Sequence, residues 1–182
     1  MKKLLRKFIL CIILLFSLTS CSLIRDTAFD SGSREVKVYF TKLKGPKEVV
    51  FIPVERKISK DDSLLLGALR ELFLGPTKAE ELKGIMTEIP VGTRLIKVEE
   101  SEDEILVDLS SQYLIGGGSA TVQVRYLQLY KTLKKIAPQK KLYLHVDGKS
   151  LKTISGEGLE VTQPLSKIND YTKVTEEENV QP

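Results

Sequence analysis

Two apolar periods alternate along this chain, and their order restricts the fold more than composition does. Val36, Val38 and Phe40 recur at every second residue, with Lys37 and Tyr39 between them, as in a strand with one buried face. Val49 to Val54 is almost wholly apolar and contains Pro53. Proline cannot donate to a ladder, so this second strand belongs at an edge or a bulge. Leu65, Leu69, Leu72 and Phe73, widened by Leu66 and Ala68, then recur at helical spacing. Asp61, Asp62 and Ser63 offer caps and negative charge at the positive end of that helix, and Gly75-Pro76 stops it. Thr77 to Gly92 is a long connection with room for one helical turn at Ala79–Lys83. Period two returns in Arg94–Glu99 and Glu104–Leu109, around the acidic turn Ser101-Glu102-Asp103. Val122, Tyr126, Leu129, Tyr130, Leu133 and Ile136 mark the buried stripe of a second helix, opened by Gly116-Gly117-Gly118-Ser119 and ended by Pro138. Lys141–Val146 is the last clear strand, Asp147-Gly148 its turn, and a weaker strand returns through Leu159 and Val161. The order is β-β-α-β-β-α-β. It predicts a single α+β domain, with a mixed or antiparallel sheet and two amphipathic helices on one face.

The residues ahead of this pattern follow a different logic. Lys2, Lys3, Arg6 and Lys7 precede an apolar run, Phe8–Leu18, that is barely half the roughly 20 residues a spanning helix needs. Leu18-Thr19-Ser20-Cys21 follows. Basic residues, short apolar core and small residues before a cysteine resemble the signal peptide and lipobox of bacterial lipoproteins. The resemblance implies that residues 1–20 are removed with Leu18, Thr19 and Ser20 flanking the cut. It implies too that the thiol of Cys21 receives diacylglycerol. Two acyl chains at about 0.8 kcal/mol per buried methylene hold far more firmly than one. The protein would then sit on the extracytoplasmic side of a membrane. Ser22 stands where an aspartate would retain it on the inner membrane of a two-membrane bacterium, so there it would reach the outer membrane. Residues 21–34 read as the lipidated cysteine and a polar tether, 35–165 as the domain, and 166–182, with Glu176-Glu177-Glu178, as a disordered tail.

Removal of the leader changes the chemistry that remains. The chain has two cysteines. On the lipoprotein reading Cys11 would leave with the signal peptide and Cys21 would be acylated, which excludes disulfides, thiolate metal sites and cysteine nucleophiles. The net charge of +4 comes from 28 basic and 24 acidic side chains, and loss of the four leader cations leaves equal numbers. A nucleic-acid binder keeps a basic excess, so nucleic acid is not an expected partner.

Candidate catalytic groups are few. His145 is the sole histidine and alternates away from the core-facing residues Leu144 and Val146. Ser110, His145 and Asp147 can be drawn as a triad, but no Gly-x-Ser-x-Gly elbow is present, and neighbours on one strand do not supply its geometry. Asp108 and Asp147 are the carboxylates to watch, since a glycosidase flanks its cleft with two. The simpler reading makes Asp147 a turn former and Asp108 a solvated or hydrogen-bonded strand residue. Tyr113, Tyr126 and Tyr143 would favour glycan binding if they lined one groove, though tryptophan is absent. Gly116–Ser119 could cradle an anion, but lacks the P-loop lysine, and its plain reading is a loop with Ser119 as cap. The acidic residues from Glu99 to Glu104 lack calcium-loop spacing and read as a solvated hairpin tip.

Four segments in register carry a wider resemblance. They are Leu72-Phe73-Leu74-Gly75-Pro76-Thr77, Thr87-Glu88-Ile89-Pro90-Val91-Gly92-Thr93, Val107-Asp108-Leu109-Ser110 and Val146-Asp147-Gly148. Together, across about Val36 to Leu165, they resemble the GerMN domain of sporulation and germination lipoproteins. Gly75, Pro76, Pro90, Gly92, Asp108, Asp147 and Gly148 are its structural marks here. The resemblance implies a lipid-anchored, non-enzymatic module without cofactor or metal, which contacts envelope proteins around the peptidoglycan. Strand addition at the Val36–Phe40 or Pro53 edge is one expected contact mode. Glycan binding is the alternative and an envelope hydrolase a more distant one; self-association stays open.

Overall fold

The computed structural model describes residues 32–45, 48–154 and 159–168. The leader, Cys21 with its flanks, and the segment beyond Ile168 lie outside the described residues.

The chain opens with two long strands, β1 (Ser33–Lys44) and β2 (Glu48–Ser59), paired antiparallel from Ser33↔Ser59 to Lys44↔Glu48. Val36, Val38 and Phe40 are buried, as their alternation predicts. Helix α1 (Leu64–Leu74) follows, its first turn capped by the Ser63 hydroxyl, which accepts from Leu66 N at 3.1 Å. Gly75 ends it at φ 80°, where a side chain would be strained, and its N–H donates to Leu72 O. Pro76 cannot continue the helix, and Thr77 at once caps the short α2 (Lys78–Leu82) through a reciprocal box with Glu80. Strand β3 (Ile85–Met86) joins the far side of β1, giving the order β2-β1-β3.

A second sheet is built by β4 (Leu95–Glu100), β5 (Glu104–Leu109), β6 (Lys141–Val146) and β7 (Lys149–Ser150), in that order. Strands β4 and β5 form the predicted hairpin. Strands β5 and β6 run parallel, joined by a crossover that contains a 3₁₀ turn (Ser111–Leu114) and helix α3 (Ser119–Ile136). A small pair, β8 (Thr153–Ile154) and β9 (Leu159–Glu160), supplies the weak returning strand. The α+β class and the element order agree with the sequence, while the strands divide between two main sheets.

Side chains from both sheets and the helices share one core, including Phe40, Leu69, Leu72, Val107, Leu129, Leu133 and Leu144. Gly67, inside α1, lets that helix approach β2: a Cβ there would lie 2.6 Å from Ile58 Cδ1 and 3.1 Å from Ile58 Cβ. The open edge of β6 is closed by the segment after β9. Leu165 N donates to Leu142 O at 2.7 Å, and the Gln163 amide exchanges hydrogen bonds with the Leu144 backbone.

Helix α3 departs from its predicted stripe. Tyr130 and Ile136 are only half-buried, while Arg125, Gln128 and Thr132, along one flank of the stripe, are buried. Ser119 does not cap it either: Gly118 holds the cap position and makes no side-chain bond.

Candidate functional site

The four sequence marks converge on one seam. Gly75 meets the second mark, where a Cβ would lie 3.7 Å from Thr87 Cγ2. Pro90 to Thr93 is a turn: Thr93 N and Oγ1 both donate to Pro90 O, and Gly92 takes φ 85°. The next residue joins the third mark, because Arg94 N donates to Ser110 Oγ at 3.0 Å and Ser110 N to Arg94 O at 2.9 Å. The third and fourth marks meet at the β6–β7 corner. Asp147 (φ 47°) and Gly148 (φ 76°) form a turn with both central residues left-handed. Both oxygens of the buried Asp108 carboxylate accept from Gly148 N, at 3.0 and 3.1 Å. Asp147 N donates to Leu109 O, and its carboxylate accepts from Ser111 N at 3.3 Å.

Two buried polar side chains on α3, Arg125 and Gln128, hold this seam from behind, and a third, Thr132, ties the helix to β1. Arg125 donates Nε to Glu88 O, Nη1 to Tyr113 O, and Nη2 to Ile115 O and Gly116 O. Burial lowers its pKa from the usual guanidinium value, and the same desolvation raises that of nearby Glu88, which Arg125 partly offsets. Gln128 accepts from Glu88 N and donates to Thr87 Oγ1; Thr132 accepts from Tyr39 N. The start of the glycine loop therefore turns carbonyls toward a cation rather than amides toward an anion.

These contacts place each candidate group. Asp108, Asp147 and Ser110 brace backbone at one corner. His145 is half-buried on β6, opposite Asp108 in the parallel register. Tyr113 and Tyr126 are core residues, so the three tyrosines do not line a common groove; only Tyr143 reaches the surface. Burial pushes the Tyr126 hydroxyl up to about 12, against the lowering effect of the Ser166 backbone it meets. The β1 edge is closed at Tyr39 by Thr132. That bond also turns the Tyr39 N–H away from β2, so Pro53 opposite it directs its missing N–H outward and interrupts the free β2 edge. Among the described residues no three His, Cys, Asp or Glu side chains are placed to hold a metal.

Two grooves remain. One, of about 300 Å³, lies along the C-terminal half of α3 and is walled by Tyr39 and Tyr130, floored by Leu127 and rimmed by Lys131, Lys134, Lys135 and Lys167. Lys131 lies 5.2 Å over the Phe51 ring, and Lys134 donates to Pro138 O and Lys140 O. The other, about 410 Å³, is bordered by Glu99, Glu100, Glu104, Leu106 and Tyr143. Lys140 stands between them, paired with Glu100 at 2.7 Å.

Comparison with known proteins rests on the same seam. Residues 37–152 match the model of the Germane family, described as sporulation and spore germination. The chain belongs to the Germane family. That stretch contains all four marks. Two solved structures share the fold. The first GerMN domain of the sporulation protein GerM from Bacillus subtilis is 16% identical, with a TM-score of 0.53, covering 74% of this chain and 98% of that one. The tandem GerMN domains of the same protein are 20% identical, with a TM-score of 0.51, covering 72% of this chain and 44% of that one. This Germane chain thus spans less than half of the tandem structure. No curated protein matches it.

Proposed function

We propose that this Germane protein is a lipid-anchored docking component of a bacterial cell envelope, acting in sporulation or germination, and that it works without catalysis. The lipobox Leu18–Cys21 supports the anchor, and the family description supports the process. The observation that carries the non-catalytic reading is the seam itself. Ser110, Asp108 and Asp147, the side chains best suited by type to hydrolysis, are each engaged with backbone at a structural corner. Catalytic carboxylates must instead flank a cleft open to substrate.

The test is complementation of a chromosomal deletion in the source bacterium by the full chain carrying Asp147→Asn. Asparagine tolerates the left-handed turn and keeps an oxygen for Ser111 N, yet it cannot serve as acid, base or nucleophile. Full complementation at wild-type abundance is expected. Loss of function at unchanged abundance would make Asp147 catalytic and overturn the reading. Cys21→Ala in the same strain is expected to move the protein out of the membrane fraction.

A further inference from the structure

We propose that the lysine-lined groove beside α3 is a receptor for the chain's own acidic C-terminal segment, with Glu176, Glu177 and Glu178 seated against Lys131, Lys135 and Lys167. Three observations carry this. The first is charge. Once the leader is gone the chain has equal numbers of acidic and basic side chains, yet four lysines gather on this one groove. Among the described residues no carboxylate pairs with Lys135 or Lys167. The second is continuity. The described chain ends at Ile168, one residue after Lys167 of the groove rim, and Tyr126 Oη holds the preceding Ser166 carbonyl at 2.7 Å. The segment therefore starts at the groove. The third is reach. Glu176 follows Ile168 by eight residues, which extend to roughly 26 Å. The helix turn from Lys131 to Lys135 spans only about 6 Å.

The neighbouring groove sharpens the choice. Its rim carries Glu99, Glu100 and Glu104, so it repels the segment that the lysine side attracts. Tyr39 and Tyr130 offer apolar walls for Val174 or Tyr171 on the way. An external partner using this groove must present acidic side chains and displace the segment.

The test is zero-length carbodiimide cross-linking of the full lipidated chain in neutral detergent, with equal parts of ¹⁴N- and ¹⁵N-labelled protein, mapped by mass spectrometry. The expected result is amide links from Glu176–Glu178 to Lys131, Lys135 or Lys167 in peptides of a single isotope. Their yield should fall severalfold at 1 M salt, where the Debye length is about 3 Å. Links spread without preference to Lys37, Lys57 and Lys60 overturn the proposal, as does absence of any links to the groove. Mixed-isotope links at the groove also overturn it, since a second copy is then the occupant. A second readout uses Glu176→Gln/Glu177→Gln/Glu178→Gln: amide signals of Lys131–Lys135 should shift while those of β4 and β5 stay in place.

Discussion

Arg125 shows what a buried charge does in this molecule. Among the described residues it has four backbone acceptors and makes no hydrogen bond to a carboxylate. Its function is to satisfy carbonyls from Glu88 and the Tyr113–Gly116 segment that packing has removed from water. Arg125→Ala leaves them without a donor and should cost roughly 3–5 kcal/mol in urea unfolding. Arg125→Lys should recover little of that, because one ammonium cannot reproduce a planar fork. A lysine variant as stable as wild type would contradict this account. Tyr113 is the opposite case. Its hydroxyl is buried and lacks a hydrogen-bond partner among the described residues, and desolvation raises its pKa. Tyr113→Phe should therefore be neutral or stabilising by up to about 1 kcal/mol; a clear loss of stability would reveal a partner for the hydroxyl. Neither role is legible in sequence. The apolar period leaves out Arg125, Gln128 and Thr132, which flank its stripe, and the backbone groups they bond explain their burial. Their own helical spacing was the available signal. Asp108 and Asp147, by contrast, were readable as a strand residue and a turn former, and the corner they brace agrees.

Among the elements, the short helix α2 is tied to β2 through Glu80 and Arg56. Glu80 closes its capping box, and its carboxylate meets both Arg56 Nη atoms at 2.7 and 2.6 Å. Arg56 also lies 5.3 Å over the Phe40 ring. The Arg56 hydrogen bonds hold the Glu80 pKa at about 2, against burial, which acts to raise it. An unfolded Glu80 titrates near 4.5. The stabilisation is therefore whole above pH 4.5 and is lost as pH falls through about 2. Glu80→Gln should cost on the order of 2 kcal/mol at pH 7, and the gap to wild type should close over that acid window. A gap that is constant from pH 7 to pH 2 would contradict the pairing. Gly67 sets how closely α1 approaches β2. Gly67→Ala gains about 1 kcal/mol of helix propensity but drives a methyl into Ile58. It should destabilise alone and do so less in an Ile58→Val background, which removes Cδ1. Equal effects in both backgrounds, measured as a double-mutant cycle, would contradict the close approach. Strand alternation and the Gly75-Pro76 stop made the elements legible. The parallel pairing of β5 with β6 was not, because register between distant strands is set by the crossover rather than by either strand's pattern.

For the molecule as a whole, the four sequence marks are one connected seam rather than four separate motifs. Gly75 lies beside Thr87, Arg94 bonds Ser110 and Gly148 bonds Asp108. That continuity explains why residues scattered over the domain signal one family, and why they say more about fold than about partners. The grooves beside the seam carry no sequence signature, since Tyr39, Lys131 and Lys167 come from distant parts of the chain. The central claim is that this is an anchored docking protein, and it is tested most directly in living cells. A photo-cross-linking residue at Val91, whose apolar side chain is 93% exposed in the second mark, should be activated in cells expressing the full chain. The lipoprotein should then be purified in detergent and its adducts identified by mass spectrometry. The account predicts a few discrete envelope proteins, absent when Cys21 is replaced by alanine. Recovery of glycan strands without protein partners would contradict it and make peptidoglycan the ligand.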